Sequence, residues 1–202
     1  LAFISSRSGQ RRVWLSDVDG HHASEIKDST PADEVAWLPD GRIAWDLPGY
    51  KNVRIHDPSS GRQELLMKES NTAWVGWPRF SPRGDQVALY VNRGSPVQRG
   101  LWLLSWPARV ERFLAEGLTP LAWAASGEWI YASGRERSVF RVSPSTGKTE
   151  LLGSVPTGSI EPEATCTISA DASAAVCPMT ESSYDAWVVE HFDPEVRARL
   201  PR

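Results

Sequence analysis

The stretch Val35-Ala36-Trp37-Leu38-Pro39-Asp40-Gly41 decides the fold because it recurs. A second copy is Arg79-Phe80-Ser81-Pro82-Arg83-Gly84, a third is Leu121-Ala122-Trp123-Ala124-Ala125-Ser126-Gly127, and a degraded one is Cys166-Thr167-Ile168-Ser169-Ala170-Asp171. The large apolar residues Trp37, Phe80, Trp123 and Ile168 fall at intervals of 43, 43 and 45 residues. The Pro-Asp-Gly type turn is chemically apt: Pro presets φ, and Gly accepts a positive φ. A second apolar triplet follows each turn: Ile43-Ala44-Trp45, Val87-Ala88-Leu89, Ile130-Tyr131-Ala132 and Ala175-Val176-Cys177. Leu1-Ala2-Phe3 is a fifth copy. A third motif flanks a large residue with apolar ones, as in Val13-Trp14-Leu15, Leu101-Trp102-Leu103 and Ala186-Trp187-Val188. Looser versions are Val53-Arg54-Ile55 and Val139-Phe140-Arg141. Polar turns such as Asp57-Pro58-Ser59-Ser60-Gly61 then lead to a short closing strand such as Glu64-Leu65-Leu66.

Four short strands per unit and a period of about 40–45 residues describe a propeller blade. The expectation is an all-β propeller of four-stranded antiparallel blades, with about five units and part of a larger ring. The approximate blades are 1–32 (incomplete), 33–72, 73–117, 118–158 and 159–202, in a single domain. A blade cannot bury both its faces alone, so neighbours must stack. Trp37, Phe80, Trp123 and Ile168 are expected in equivalent buried places. The first copy begins at its second strand, and the chain opens on Leu1 without a signal peptide, which suggests a trimmed fragment. Open ends would expose a strand edge and an apolar face, so self-association or capture of a partner strand is expected.

The stretches Ala2 to Gly9, Val13-Trp14 and Asp17-Val18-Asp19-Gly20, with the Ser81-to-Gly84 turn, resemble the TolB-type or PD40 propeller repeat, a WD40-like repeat of bacterial proteins. The resemblance covers nearly the whole chain. It implies a non-catalytic module for protein or peptide interaction, or for ligand sensing. It also implies a periplasmic or extracytoplasmic setting, like TolB or the C-terminal sensor part of bacterial kinases and winged-helix regulators. The rival that it implies is enzymatic: the propeller domain of a prolyl-oligopeptidase-type serine peptidase, or a polysaccharide lyase.

Composition bounds the function. Apolar residues are 41% of the 202, enough for a sizeable core, and charged residues are 23%, near the globular average. A net charge of −3 argues against a nucleic-acid binder. No apolar run approaches the roughly 20 residues of a membrane helix, so direct membrane insertion is not expected. No nucleophile elbow or phosphate loop occurs, and no catalytic, cofactor or metal residue is proposed. His21 and His22 would point to opposite faces of a strand, and His56 and His191 are scattered, so the histidines read as solvated turn residues. Asp17 to Gly20 lacks the remaining ligands of a calcium loop and reads as a tight turn. Arg83-Gly84-Asp85 sits at a repeat turn, and Glu161 and Glu163 lie in a linker.

Function is therefore expected on loops carried by a rigid scaffold. Loops joining second and third strands are rich in arginine, and those joining successive blades are acidic and carry two tryptophans expected to be exposed. The candidate partner-binding residues are Arg7, Arg12, Trp74, Trp77, Arg93, Arg99, Arg135 and Arg137. Last, a hairpin centred between Asp171 and Ala172 places Ile168 opposite Ala175 and Cys166 opposite Cys177. These two cysteines read either as a disulfide, permitted in an oxidising compartment, or as two small buried thiols.

Overall fold

The computed structural model describes residues 1–29, 31–67, 74–93, 98–135, 138–154, 167–168 and 174–176. Its strands are β1 (Ala2–Ser5), β2 (Arg12–Leu15), β3 (Ser24–Glu25), β4 (Val35–Trp37), β5 (Ile43–Asp46), β6 (Val53–His56), β7 (Gln63–Leu65), β8 (Trp74–Phe80) and β9 (Gln86–Asn92). They continue with β10 (Gly100–Ser105), β11 (Val110–Glu116), β12 (Thr119–Trp123), β13 (Ile130–Ser133), β14 (Ser138–Val142), β15 (Thr149–Ser154), β16 (Thr167–Ile168) and β17 (Ala175–Val176). Every pairing is between sequence neighbours and antiparallel. The result is a three-stranded sheet (β1–β3), three four-stranded sheets (β4–β7, β8–β11, β12–β15) and the two-stranded β16–β17. Each sheet packs on the next in chain order, through β1 with β4, β5 with β8, β8 with β12, and β12 with β16. This is the blade succession of a β-propeller.

The turns follow the chemistry of their residues. In three first-to-second strand turns the glycine N–H closes on the residue three before it: Gly41 on Leu38, Gly84 on Ser81 and Gly127 on Ala124, at 2.8–3.0 Å. All three glycines have φ between 71° and 87°, which a Cβ would strain.

The core forms between blades, and period-2 alternation assigns each strand's side chains. Ile43 and Trp45 of β5 pack with Val13 and Ile26 of the first sheet, whereas Ala44 joins Val53, Ile55, Val75, Val87 and Leu89 on the other face. In the same way Leu101 and Leu103 pack towards Ile130 and Ala132, and Trp102 and Leu104 pack the opposite way.

Trp37, Phe80, Trp123 and Ile168 do occupy one register position. Each ends the first strand of its sheet, opposite Ile43, Val87, Ile130 and Ala175 respectively. Their expected burial needs correction. Trp37 is 48% exposed, and Phe80 and Trp123 are half-buried; the side chain of Ile168 lies outside the described residues. Directly opposite residues share a face, so the position lies at the inner edge of the inter-sheet core. Phe80 and Trp123 pack against that core with part of their surface open, and Trp37 is the most open of the three. The inter-sheet core uses the opposing residues Ile43, Val87 and Ile130, each fully buried.

Candidate binding site on the innermost strands

The innermost strands β4, β8 and β12 line a groove of about 470 Å³. Trp37, Phe80 and Trp123 stand along it in a row set by their common register. Arg79 holds the three strands together. Its Nη2 donates to Glu34 Oε1 at 3.2 Å, its Nη1 to Pro78 O at 3.0 Å, and its Nε to Leu121 O at 2.7 Å. Trp123 Nε1 donates back to Arg79 O at 2.7 Å. Arg79 and Glu34 are both largely covered, so this is a charge-assisted contact of low solvent screening.

Beside the groove lies a cluster of four aromatics. A register irregularity between Gly76 and Arg79 leaves Trp77 at φ 54°, and the 3-10 turn Pro48–Tyr50 leaves Tyr50 at φ 53°. The rings meet: Tyr50 and Trp74 lie 4.5 Å apart at their centroids, Trp74 and Trp77 4.7 Å, and Trp74 and Tyr90 5.2 Å. Gly76 permits this closure, because a Cβ there would meet Tyr50 Cδ1 at 2.9 Å and Trp74 at 3.1 Å. The expectation that Trp77 is exposed is therefore corrected. It is only 8% exposed, turned inward by the irregularity, and Trp74 is half-buried.

Three carboxyl groups act on this cluster. Asp33 pairs with Arg11 at 2.5 Å, and Glu34 pairs with Arg79. Asp46, the last residue of β5, is 1% exposed, and neither carboxyl oxygen has a hydrogen-bond partner among the described residues. Burial, reinforced by Glu34 and Asp33 and opposed by Arg79, pushes the Asp46 carboxyl up to about 8. Burial and the same acids, Asp33, Asp46 and Glu34, push the Tyr50 phenol up to about 12.

The arginines proposed from sequence are mostly engaged within the molecule. Arg7 lies over Trp14 at 4.8 Å and Phe3 at 5.2 Å. Arg93 lies over Trp102 at 4.7 Å and pairs with Glu111. Trp14 and Trp102 hold equivalent positions in their third-of-four strands, so the two arginines repeat one scaffold contact. Arg12 donates to the carbonyls of Lys27 and Ser29 and pairs with Glu25, tying β2 to β3 and the turn that follows it. Arg99 donates from Nε to Tyr90 Oη at 2.6 Å and so joins the aromatic cluster. Arg135 is exposed, and Arg137 lies outside the described residues. Sequence reasoning missed Asp46, Tyr50, Glu34 and Arg79. Its one available signal was an acid at the end of the apolar run Ile43-Ala44-Trp45.

The remaining polar motifs are turns. Asp17 to Gly20 closes by Gly20 N–H to Asp17 O, and Asp85 of the Arg-Gly-Asp tripeptide accepts from Ser81 Oγ at 2.8 Å. His56 is half-buried against Trp45, and burial lowers its affinity for a proton; His191 lies outside the described residues. Among the described residues no three His, Cys, Asp or Glu are placed to hold a metal ion. Nor, among them, is any helix long and apolar enough to cross a membrane.

By sequence, no family profile and no curated protein matches the chain. By structure, the chain is similar to propellers. One is a TolB-like protein from Agrobacterium tumefaciens: TM-score 0.60, 16% identity, 75% of this chain and 60% of that one. An oligogalacturonate lyase solved with manganese aligns at TM-score 0.51 and 15% identity, over 90% of this chain and 68% of that one. A propeller in a nidogen–laminin complex aligns at TM-score 0.58 and 10% identity, over 73% of this chain and 59% of that one. The shared feature is the β-propeller fold.

Proposed function

We propose that the chain is a non-catalytic propeller module that binds a protein or peptide along the innermost strands and the adjoining rim, in an extracytoplasmic setting. The observation that carries this reading is the row of Trp37, Phe80 and Trp123 along a 470 Å³ groove, with Trp37 48% exposed. Large aromatics with free surface on a rigid scaffold are the residues that dominate binding energy at protein interfaces. Arg79 and Glu34 fix the three strands, so the row is preorganised and a partner does not have to order it. Trp74, Arg99 and Arg135 extend the proposed surface on the rim; Arg7, Arg12 and Arg93 serve chiefly to hold their own sheets. The TolB-like and nidogen–laminin likenesses support a binding role by analogy of fold.

A randomised peptide library displayed against the immobilised protein tests the reading. Selected peptides should bind in calorimetry, and Trp37→Ala should weaken them at least 10-fold with little change in melting temperature. Selected peptides whose affinity is indifferent to Trp37→Ala would remove the groove as the site.

A further inference from the structure

We propose that Asp46, with Asp33, Glu34 and the Tyr50–Trp74 ring pair, forms the receiving site for one arginine side chain presented by a partner protein. The proposal rests on the binding-module reading and assigns the partner's chemistry.

The charge arrangement is the first argument. Three carboxyl groups, Asp33, Glu34 and Asp46, converge here, and two guanidinium groups answer them: Arg11 on Asp33 and Arg79 on Glu34. Asp46 is left with both oxygens buried and unpartnered among the described residues. A buried carboxyl without a hydrogen bond costs stability, and folded proteins rarely keep one without a use. One further cation would complete the set. The repeat itself supplies a control. The residues equivalent to Asp46 in the other sheets are Ile4, Tyr90 and Ser133, and those equivalent to Arg79 are Ala36 and Ala122. Neither charge is required to build a blade.

The aromatic cluster is the second argument and is independent of the first. A guanidinium is planar and weakly hydrated, stacks on aromatic faces and forks onto carboxylates, which an ammonium does less well. This chain already uses that chemistry: Arg7 lies over Trp14, Arg93 over Trp102 and Arg141 over Trp129, the last at 4.4 Å. Trp74, half-buried at the centre of the cluster, has rings beside it but no cation over it among the described residues.

Entry requires movement, since both Asp46 oxygens are out of contact with solvent. The segment concerned is Leu47 to Asn52, which follows Asp46 and carries Tyr50. Its far end is anchored, because the buried Asn52 donates from Nδ2 to Met67 O and accepts from Met67 N–H. The part free to shift is therefore Leu47 to Lys51, closed by Leu47 N–H to Asn52 O and Tyr50 N–H to Leu47 O and strained at Tyr50, whose φ is 53°. Binding replaces the Asp46 proton with a guanidinium; the proton leaves to solvent and the carboxylate pairs with the cation. Asp33, Glu34, Tyr50, Arg79 and Arg11 are the charged or titratable groups around it. The raised pKa of Asp46 agrees with this exchange and makes it measurable at neutral pH.

The test uses the pentapeptide Gly-Ser-Arg-Ser-Gly, blocked at both ends, and its citrulline analogue, in which an uncharged urea replaces the guanidinium. Binding is followed by the indole NMR signals of Trp74 and Trp77 and by calorimetry in buffers of different ionisation enthalpy. The arginine peptide should shift both signals saturably, bind at least 10-fold more tightly than the citrulline peptide, and release close to one proton at pH 6–7. Asp46→Asn, which keeps the side-chain shape, should cost at least 10-fold and abolish the proton release. Equal binding of the two peptides, no saturable shift, or indifference to Asp46→Asn would overturn the proposal. Peptides from the library that lack arginine yet bind through Trp37 would leave the groove standing while the arginine site falls. Asp46-dependent arginine binding without any Trp37-dependent peptide would do the reverse.

Discussion

Replacing Asp46 by Asn should stabilise the protein, and by an amount that grows with pH. In the unfolded chain the Asp46 carboxyl titrates at 3.8; in the folded chain it titrates at about 8. Below 3.8 both states are protonated and the residue contributes no pH dependence. Between the two values the unfolded state has released its proton and the folded state still holds it. Unfolding is then favoured by about 1.4 kcal/mol for each pH unit of rise, and the penalty levels off above pH 8. Some three units at pH 7 give about 4 kcal/mol, and about half of that if water reaches the carboxyl during its titration. Asn has the same shape and never ionises, so the variant lacks the penalty. The expected gain at pH 7 is about 2–4 kcal/mol, or roughly 4–16 °C in melting temperature for a chain of this size. Thermal unfolding followed by tryptophan fluorescence from pH 4 to pH 9 measures it. The two proteins should converge near pH 4 and diverge up to pH 8. Parallel curves, or a wild type that gains on the variant as pH rises, would show that Asp46 is solvated or partnered, and the charge argument for the arginine site would go with it.

Two further outcomes follow from the register. Trp45→Ala should cost about 3–5 kcal/mol, because Trp45 is wholly buried between the first two sheets, whereas Trp37→Ala should cost less than about 1 kcal/mol despite standing in the repeat's most recognisable segment. Urea denaturation of both variants decides it, and equal losses would refute the assignment of Trp37 to the groove. The pairs Thr167–Val176 and Ile168–Ala175, if extended by one step, set Cys166 opposite Cys177, two residues that themselves lie outside the described set. Mild oxidation of the folded protein should join them, closing a loop of about a dozen residues, as read by peptide mapping; two thiols that resist joining would break the register.

The fold was legible because its determinants are local. Alternation along Ile43-Ala44-Trp45 or Leu101-Trp102-Leu103-Leu104, and the Gly41, Gly84 and Gly127 turns, can be read within a dozen residues, and antiparallel pairing of sequence neighbours does the rest. The expected pairing of Ile168 with Ala175 was legible for the same reason. The site was not, because its contacts cross between repeats. Arg79 meets Glu34 from 45 residues away and Leu121 from 42, and no local pattern announces either contact. Counting charges on loops misled for a related reason: Arg7 and Arg93 look free in sequence, yet both stand on the third-strand aromatic of their own sheet. Trp77 looked exposed because the irregularity that turns it inward cannot be seen from alternation.

Once the register is known, the repeat separates scaffold from site without any relative to compare. A residue needed to build a blade should recur at the same register position, as the buried first residues Ile43, Val87 and Ile130 do, and as the aromatics Trp14, Trp102 and Phe140 do in three sheets, with Arg54 in their place in the β4–β7 sheet. A residue that breaks the pattern must be justified by something the blade itself does not need. Asp46 and Arg79 both break it, at positions where the other sheets place Ile4, Tyr90 and Ser133, or Ala36 and Ala122. Stability does not explain Asp46, since a buried acid unpartnered among the described residues lowers stability at neutral pH. The charges that act on it are those of Glu34, Asp33 and Arg79, and the Arg79 guanidinium both pairs with Glu34 and reaches the Leu121 carbonyl. These two departures from the repeat act on each other: Arg79 lines the aromatic groove, and the field of Arg79 and Glu34 reaches Asp46 beside the aromatic cluster, which is what a binding site grafted onto a repeating scaffold should leave behind.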